Sequence, residues 1–194
     1  MAVISIKNKT KSGSLLNGNA PFIPNDYESI ATVTASGSSA TLSFTSIPST
    51  YQHLQIRGIV KSTTSGSSLT GVNLTFNSDG SSSYSRHILY GNGSSATVYG
   101  NTSNAAWSIG ADDVPTAGYT NIFGAHIIDI LDYTNTNKNK TVRALTGADV
   151  NGAGVVALSS TVFIKTAAIS SIELNCASGN FASGTTYALY GIKG

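Results

Sequence analysis

The chain has 194 residues, a formal net charge of +2 and only 10% charged residues, against about 25% in typical globular chains. So small an excess, with no Lys/Arg cluster, excludes a protein that neutralises a run of nucleic-acid phosphates. Cys176 is the single cysteine, which excludes an intrachain disulfide and a cysteine-rich zinc site.

The first 27 residues differ from the rest. Val3-Ile4-Ser5-Ile6 is β-prone, Lys7 to Ser14 is polar and basic, and Asn17 to Pro21 and Pro24 to Asp26 carry turn signals. The apolar run breaks at Lys7, short of the ~7–15 residues of a signal-peptide core. Nothing approaches the ~18 apolar residues of a membrane span. The expectation is a soluble chain made in the cytoplasm, with no membrane partner. Residues 1–27 read as an extended anchoring arm. Its apolar spots Val3, Ile4, Ile6, Leu15, Leu16 and Phe22 are too sparse for a core and suit docking on a partner, as a short strand adds to a sheet edge.

From Glu28 onward the pattern is β throughout. Ser29 to Ala35 and Thr41 to Thr45 read as a hairpin around Gly37. Tyr51 to Lys61 alternates Leu54, Ile56 and Val60 against His53, Gln55 and Arg57. Val72, Leu74 and Phe76 alternate before the turn Asn77-Ser78-Asp79-Gly80. Ser83 to Tyr90 is a further strand. Gly91 to Gly118 is irregular, with short strands at Ala96–Tyr99 and Ala106–Ile109. Ile122 to Gly147 is a long hairpin with a polar tip, Thr134 to Asn139. In its first arm Ile127, Ile128, Ile130 and Leu131 are apolar on both faces, so that arm is expected to lie centrally and be covered on both sides. Val155–Lys165, Ala168–Cys176 and Thr185–Lys193 complete about ten strands. Turn signals every 8–12 residues and the lack of helical periodicity predict an all-β fold. The expected architecture is an antiparallel two-sheet, jelly-roll-like β-sandwich over residues 28–194 with the N-terminal arm preceding it.

No catalytic constellation emerges. His53, His87 and His126 lack metal-site spacing and read as surface or cross-strand residues. Asp129 and Asp132 do not converge as a glycosidase pair would. Asp132, Asn135 and Asn137 could offer oxygens to calcium, but the loop's glycine and closing glutamate are missing. Asp112-Asp113 reads as a solvated acidic pair. Tyr99, Trp107, Tyr119 and Tyr133 could stack on a sugar or pack inward. Tyr99, Trp107 and Tyr119 are the glycan-binding candidates. No cofactor and no metal are expected, and the chain reads as a non-enzyme.

Four runs, IPSTYQHLQIRG (47–58), SYSRHILYGNGSS (83–95), IIDILDYTNTNKNKTVRALTG (127–147) and SGNFASGTTYALYGIKG (178–194), resemble a family of small virion-associated proteins of tailed phages infecting marine bacteria and cyanobacteria. LLNGNAPFIPNDYESIATVT (15–34) is similar to the opening of that family. The resemblance implies a structural protein of the virion, commonly a β-sandwich, on the capsid or on tail appendages. It carries over no active site. The expected role is head decoration or cement, with residues 1–27 anchoring a homo-oligomer, such as a trimer, to the major capsid protein. The alternative is a tail or fibre module that recognises host-surface glycan through residues 91–121.

Overall fold

The computed structural model describes residues 27–193, so the six arm residues Val3, Ile4, Ile6, Leu15, Leu16 and Phe22 lie outside the described residues. Within that span the chain is all-β. An eight-stranded antiparallel sheet runs in the order β1 (Tyr27–Thr34), β14 (Thr186–Ile192), β3 (His53–Val60), β10 (Gly124–Leu131), β11 (Lys140–Asp149), β12 (Gly154–Phe163), β6 (Tyr84–Gly91) and β7 (Ala96–Asn104). A four-stranded sheet packs on its inner face, in the order β2 (Thr41–Phe44), β13 (Ile172–Cys176), β5 (Val72–Phe76) and β8 (Trp107–Ser108). A two-stranded piece, β4 (Leu69–Thr70) with β9 (Val114–Pro115), pins the irregular region.

Alternation decides which side chains meet between the sheets, because successive residues of a strand point to opposite faces. The large sheet sends in Leu54, Ile56, Ile128, Ile130, Val142 and Leu189, all fully buried. The small sheet answers with Leu42, Phe44, Leu74, Phe76, Ile172 and Leu174. At one flank Tyr84 stacks on Phe163 with ring centroids 4.8 Å apart, and its hydroxyl accepts the Phe76 N–H at 2.8 Å. Burial pushes the Tyr84 phenol up to about 12, which keeps it a neutral hydrogen-bonding group. On the other side Tyr187 lies flat across Gly58. A Cβ at Gly58 would come 2.3 Å from the ring, so only glycine leaves room there.

The structure corrects two expectations. β1 and β2 are not a hairpin. β1 pairs with β14 in the large sheet and β2 with β13 in the small one, so the chain crosses between layers at Ala35 to Ala40. The hairpin from Ile122 to Gly147 does form, as β10 and β11, and β10 is a central strand. It is covered on one face only: Ile128 and Ile130 are buried, but Ile127 is 41% exposed on the opposite face.

Candidate functional site

Unequal sheets leave an overhang. The small sheet ends at β8, so the inner-facing side chains of β6 and β7 beyond it are not roofed. Arg86 and Tyr90 on β6 and Tyr99 on β7 face this gap, and the turn from Ser108 to Asp112 walls it, leaving a hollow of about 280 Å3. Tyr90 and Tyr99 meet edge to face with centroids 6.1 Å apart. The Arg86 guanidinium lies 5.3 Å from the Tyr99 ring centroid. It donates to Ser108 O at 2.7 Å, Asn101 Oδ1 at 3.1 Å and the Tyr99 hydroxyl at 3.3 Å. Three donors are thereby fixed beside two aromatic rings, with Asp112 opposite in a left-handed backbone conformation (φ +51°). An aromatic surface beside a fixed cation and a carboxylate suits a polar ring-shaped ligand such as a sugar. Of the hollow's lining residues, only Asp112 is a carboxylate, so they provide no acid–base pair for glycoside cleavage.

Asp112 is held in place from one residue along. Asp113 is fully buried, not solvated. His126, on the inner face of β10, meets Asp113 Oδ1 through Nε2 at 3.1 Å and the Tyr187 hydroxyl through Nδ1 at 2.9 Å. His126 is therefore a core residue: of the surface or cross-strand position expected for it, only the cross-strand part holds. Burial pushes the Asp113 carboxyl up, but the charge and hydrogen bond of His126 outweigh it and hold the carboxyl below the usual aspartate range. Burial likewise pushes the Tyr187 phenol well up. The second carboxylate oxygen and the Thr146 hydroxyl crowd Gly110, where a Cβ would lie 1.7 Å from the one and 2.4 Å from the other. The hydroxyl helps to hold the carboxyl low without reaching hydrogen-bonding geometry. Sealed from solvent, this Tyr–His–Asp chain has no access for a substrate and serves to lock the loop onto the core.

The three aromatic candidates do not come together. Tyr99 is at the overhang, half exposed. Trp107 is buried where β8 meets the large sheet, and its indole N–H donates to Ser159 Oγ at 3.2 Å. The gap between the layers needs a large side chain there, so Trp107 is not a stacking surface. Tyr119 lies in a separate turn, partly buried, with its carbonyl accepting the Lys61 ammonium. Tyr133 is buried with its hydroxyl on Pro48 O. Arg86, Tyr90 and Asp112 were not anticipated. Their alternation is visible in the sequence, but the overhang depends on how many strands each sheet contains.

At the hairpin tip, two of the three side chains considered for calcium, Asp132 and Asn135, have their oxygens engaged by other partners. The Asp132 carboxylate pairs with Lys138 at 2.5 Å, and Asn135 Oδ1 accepts the Asn137 N–H at 2.8 Å. The buried Lys140 ammonium donates to the carbonyls of Asn135, Lys138 (3.0 Å) and Thr166 (2.9 Å). A fixed side-chain cation thus occupies the carbonyl cluster of the tip.

Comparison with known proteins gives no match to any family model, curated protein or solved structure.

Proposed function

We propose that the protein is a structural component of a tailed-phage virion, most specifically a head decoration or cement protein that attaches to the major capsid protein as a homo-oligomer, with residues 1–27 as the anchor. The observation that carries an assembly role is the outer face of the large sheet, which keeps a contiguous group of aliphatic side chains half exposed. Isolated soluble monomers rarely leave such a face uncovered. The virion assignment rests on the resemblance of the four runs. They supply β6 and β14 and most of β3, β10 and β11, five of the eight strands of that same sheet.

The decisive experiment is location. A labelled copy of the chain, imaged on purified particles, is expected on head facets. Absence from particles removes the reading. Tyr27 already belongs to β1, paired with Ile192, so the deletion stops at residue 26, and unchanged attachment after it removes the anchoring role of the segment.

The overhang favours a second reading, a tail or fibre module that binds host-surface glycan. It predicts saturable binding of host polysaccharide fragments, lost in Tyr99→Ala and Arg86→Ala with the thermal midpoint unchanged. Label at the tail together with such binding would replace the decoration role.

A further inference from the structure

In a half-buried antiparallel sheet the wet face normally carries polar residues. Here the pattern breaks on five adjacent strands at one level. Ile127 pairs with Leu145, Leu145 with Leu158, Leu158 with Leu89, and Leu89 with Val98. These five side chains expose 41, 51, 52, 48 and 72% of their surface in the order Ile127, Leu145, Leu158, Leu89, Val98.

The next row along the strands has a different relief. Ala125 pairs with Gly147, Gly147 with Val156, Val156 with Gly91, and Gly91 with Ala96. Val156 therefore stands as a knob between two glycines, and a shallow hollow of about 760 Å3 opens around that end of the strands. Ile59, opposite Ala125, borders the row. On the other side the face turns polar, with Asp129, Arg143, Ser160 and His87 in register. Arg143 donates to Asp129 at 3.0 Å, so the rim presents a neutralised pair.

We propose that this face is the contact between two copies of the chain, packed outer sheet against outer sheet about a two-fold axis. An aliphatic centre within a polar rim is the anatomy of a protein–protein interface. Seven aliphatic residues, Ile59 and Val156 included, stand 41–72% exposed on this face, a patch on the order of the ~300–600 Å2 that a monomer's largest apolar patch covers. A stable dimer covers roughly 800 Å2 per partner, so patch and rim together are of the size such a contact needs. The paired rim charges select neither an acidic nor a basic partner. The aliphatic row offers no ring or hydrogen-bond donor to a glycan. An isologous contact needs knob and hole on one surface, and Val156 beside Gly147 and Gly91 provides both. Two such faces pack about 10 Å apart, as sheets in a sandwich do. The inference rests on the assembly reading only in that both require this face to be covered.

The test is sedimentation equilibrium of the full chain from micromolar to millimolar concentration, with hydroxyl-radical labelling of the unmodified protein at both ends of the range. The expected result is a dimer in which Leu89, Leu145 and Leu158 lose labelling. The double variant Leu145→Lys/Leu158→Lys is expected to dissociate at least about 100-fold more readily, a loss in line with two hot-spot substitutions. A chain monomeric throughout overturns the inference, even where vesicles or other particle proteins protect the face. So does a dimer that leaves these residues fully labelled. A monomeric chain that still enters particles fails here and leaves the virion role standing, whereas a dimer through this face that is absent from particles does the reverse.

Discussion

The two ends of the sandwich each bury one charged knot, and the knots are built differently. At the hairpin tip Lys140 gathers backbone carbonyls, which lie near the surface. At the opposite end Asp113, His126 and Tyr187 are joined by side-chain contacts alone, entirely out of water, with the second Asp113 oxygen left without a hydrogen bond. Carbonyls that lose an ammonium at a surface turn can recruit water. A carboxylate that loses its imidazole inside the core has no water to recruit. The Asp113 end is therefore the brittle one, and the Lys140 end the tolerant one.

Four substitutions and a titration would break or sharpen that contrast. The largest effect is expected from His126→Ala, which strands Asp113 and should cost about 3–5 kcal/mol, the usual penalty for orphaning a buried charge. Urea unfolding measures it, and a loss below 1 kcal/mol would show that the centre tolerates an unpaired carboxylate.

Next comes acid. The Asp113 pKa is lower folded than unfolded, so its contribution is complete above the ordinary aspartate value. That contribution is lost as pH falls through the lower folded value. Stability should drop below about pH 4, and the drop should be shallower in Asp113→Asn. Glu28, Asp79 and Asp132, whose carboxyls are also lowered, give the remaining slope with the same sign.

Lys140→Met should cost less, about 1–2 kcal/mol, because it removes hydrogen bonds from carbonyls that water can reach. Burial already pushes the Lys140 ammonium down from its usual pKa, which offsets part of what its hydrogen bonds contribute. An effect equal to that of His126→Ala would erase the distinction between the ends. The smallest change, under about 1 kcal/mol, is expected for Arg143→Ala, which breaks an exposed pair on the outer face.

Much of the fold was legible because alternation is a local signal. β3, β5, β10, β11 and β12 each declare an inner face in their own residues, and the hairpin from Ile122 to Gly147 closes over a tip too polar to bury. What was not legible depends on distant partners. Thr41 to Thr45 looks like the second arm of a hairpin, yet β13 claims it from about 130 residues away. Asp113 and His126 look like any solvated acid and any surface or cross-strand histidine until the fold brings them together. Ile127 looked like a residue covered on its own side, because an apolar side chain does not say whether its cover comes from the same chain. The overhang holding Arg86, Tyr90, Tyr99 and Asp112 is a property of sheet size, which no single strand encodes.

The pairing of β1 with β14 also has a mechanical consequence. Tyr27, the first residue of β1, sits opposite Ile192, the last of β14. A pull applied between these two points loads the ladder at one end and opens its hydrogen bonds one after another, as a zipper does. Shear, which would strain them together, is avoided. β1 would peel away at low force and leave the β14–β3–β10 core of the sheet intact, so tension along the chain would be absorbed at this edge before reaching the buried centre.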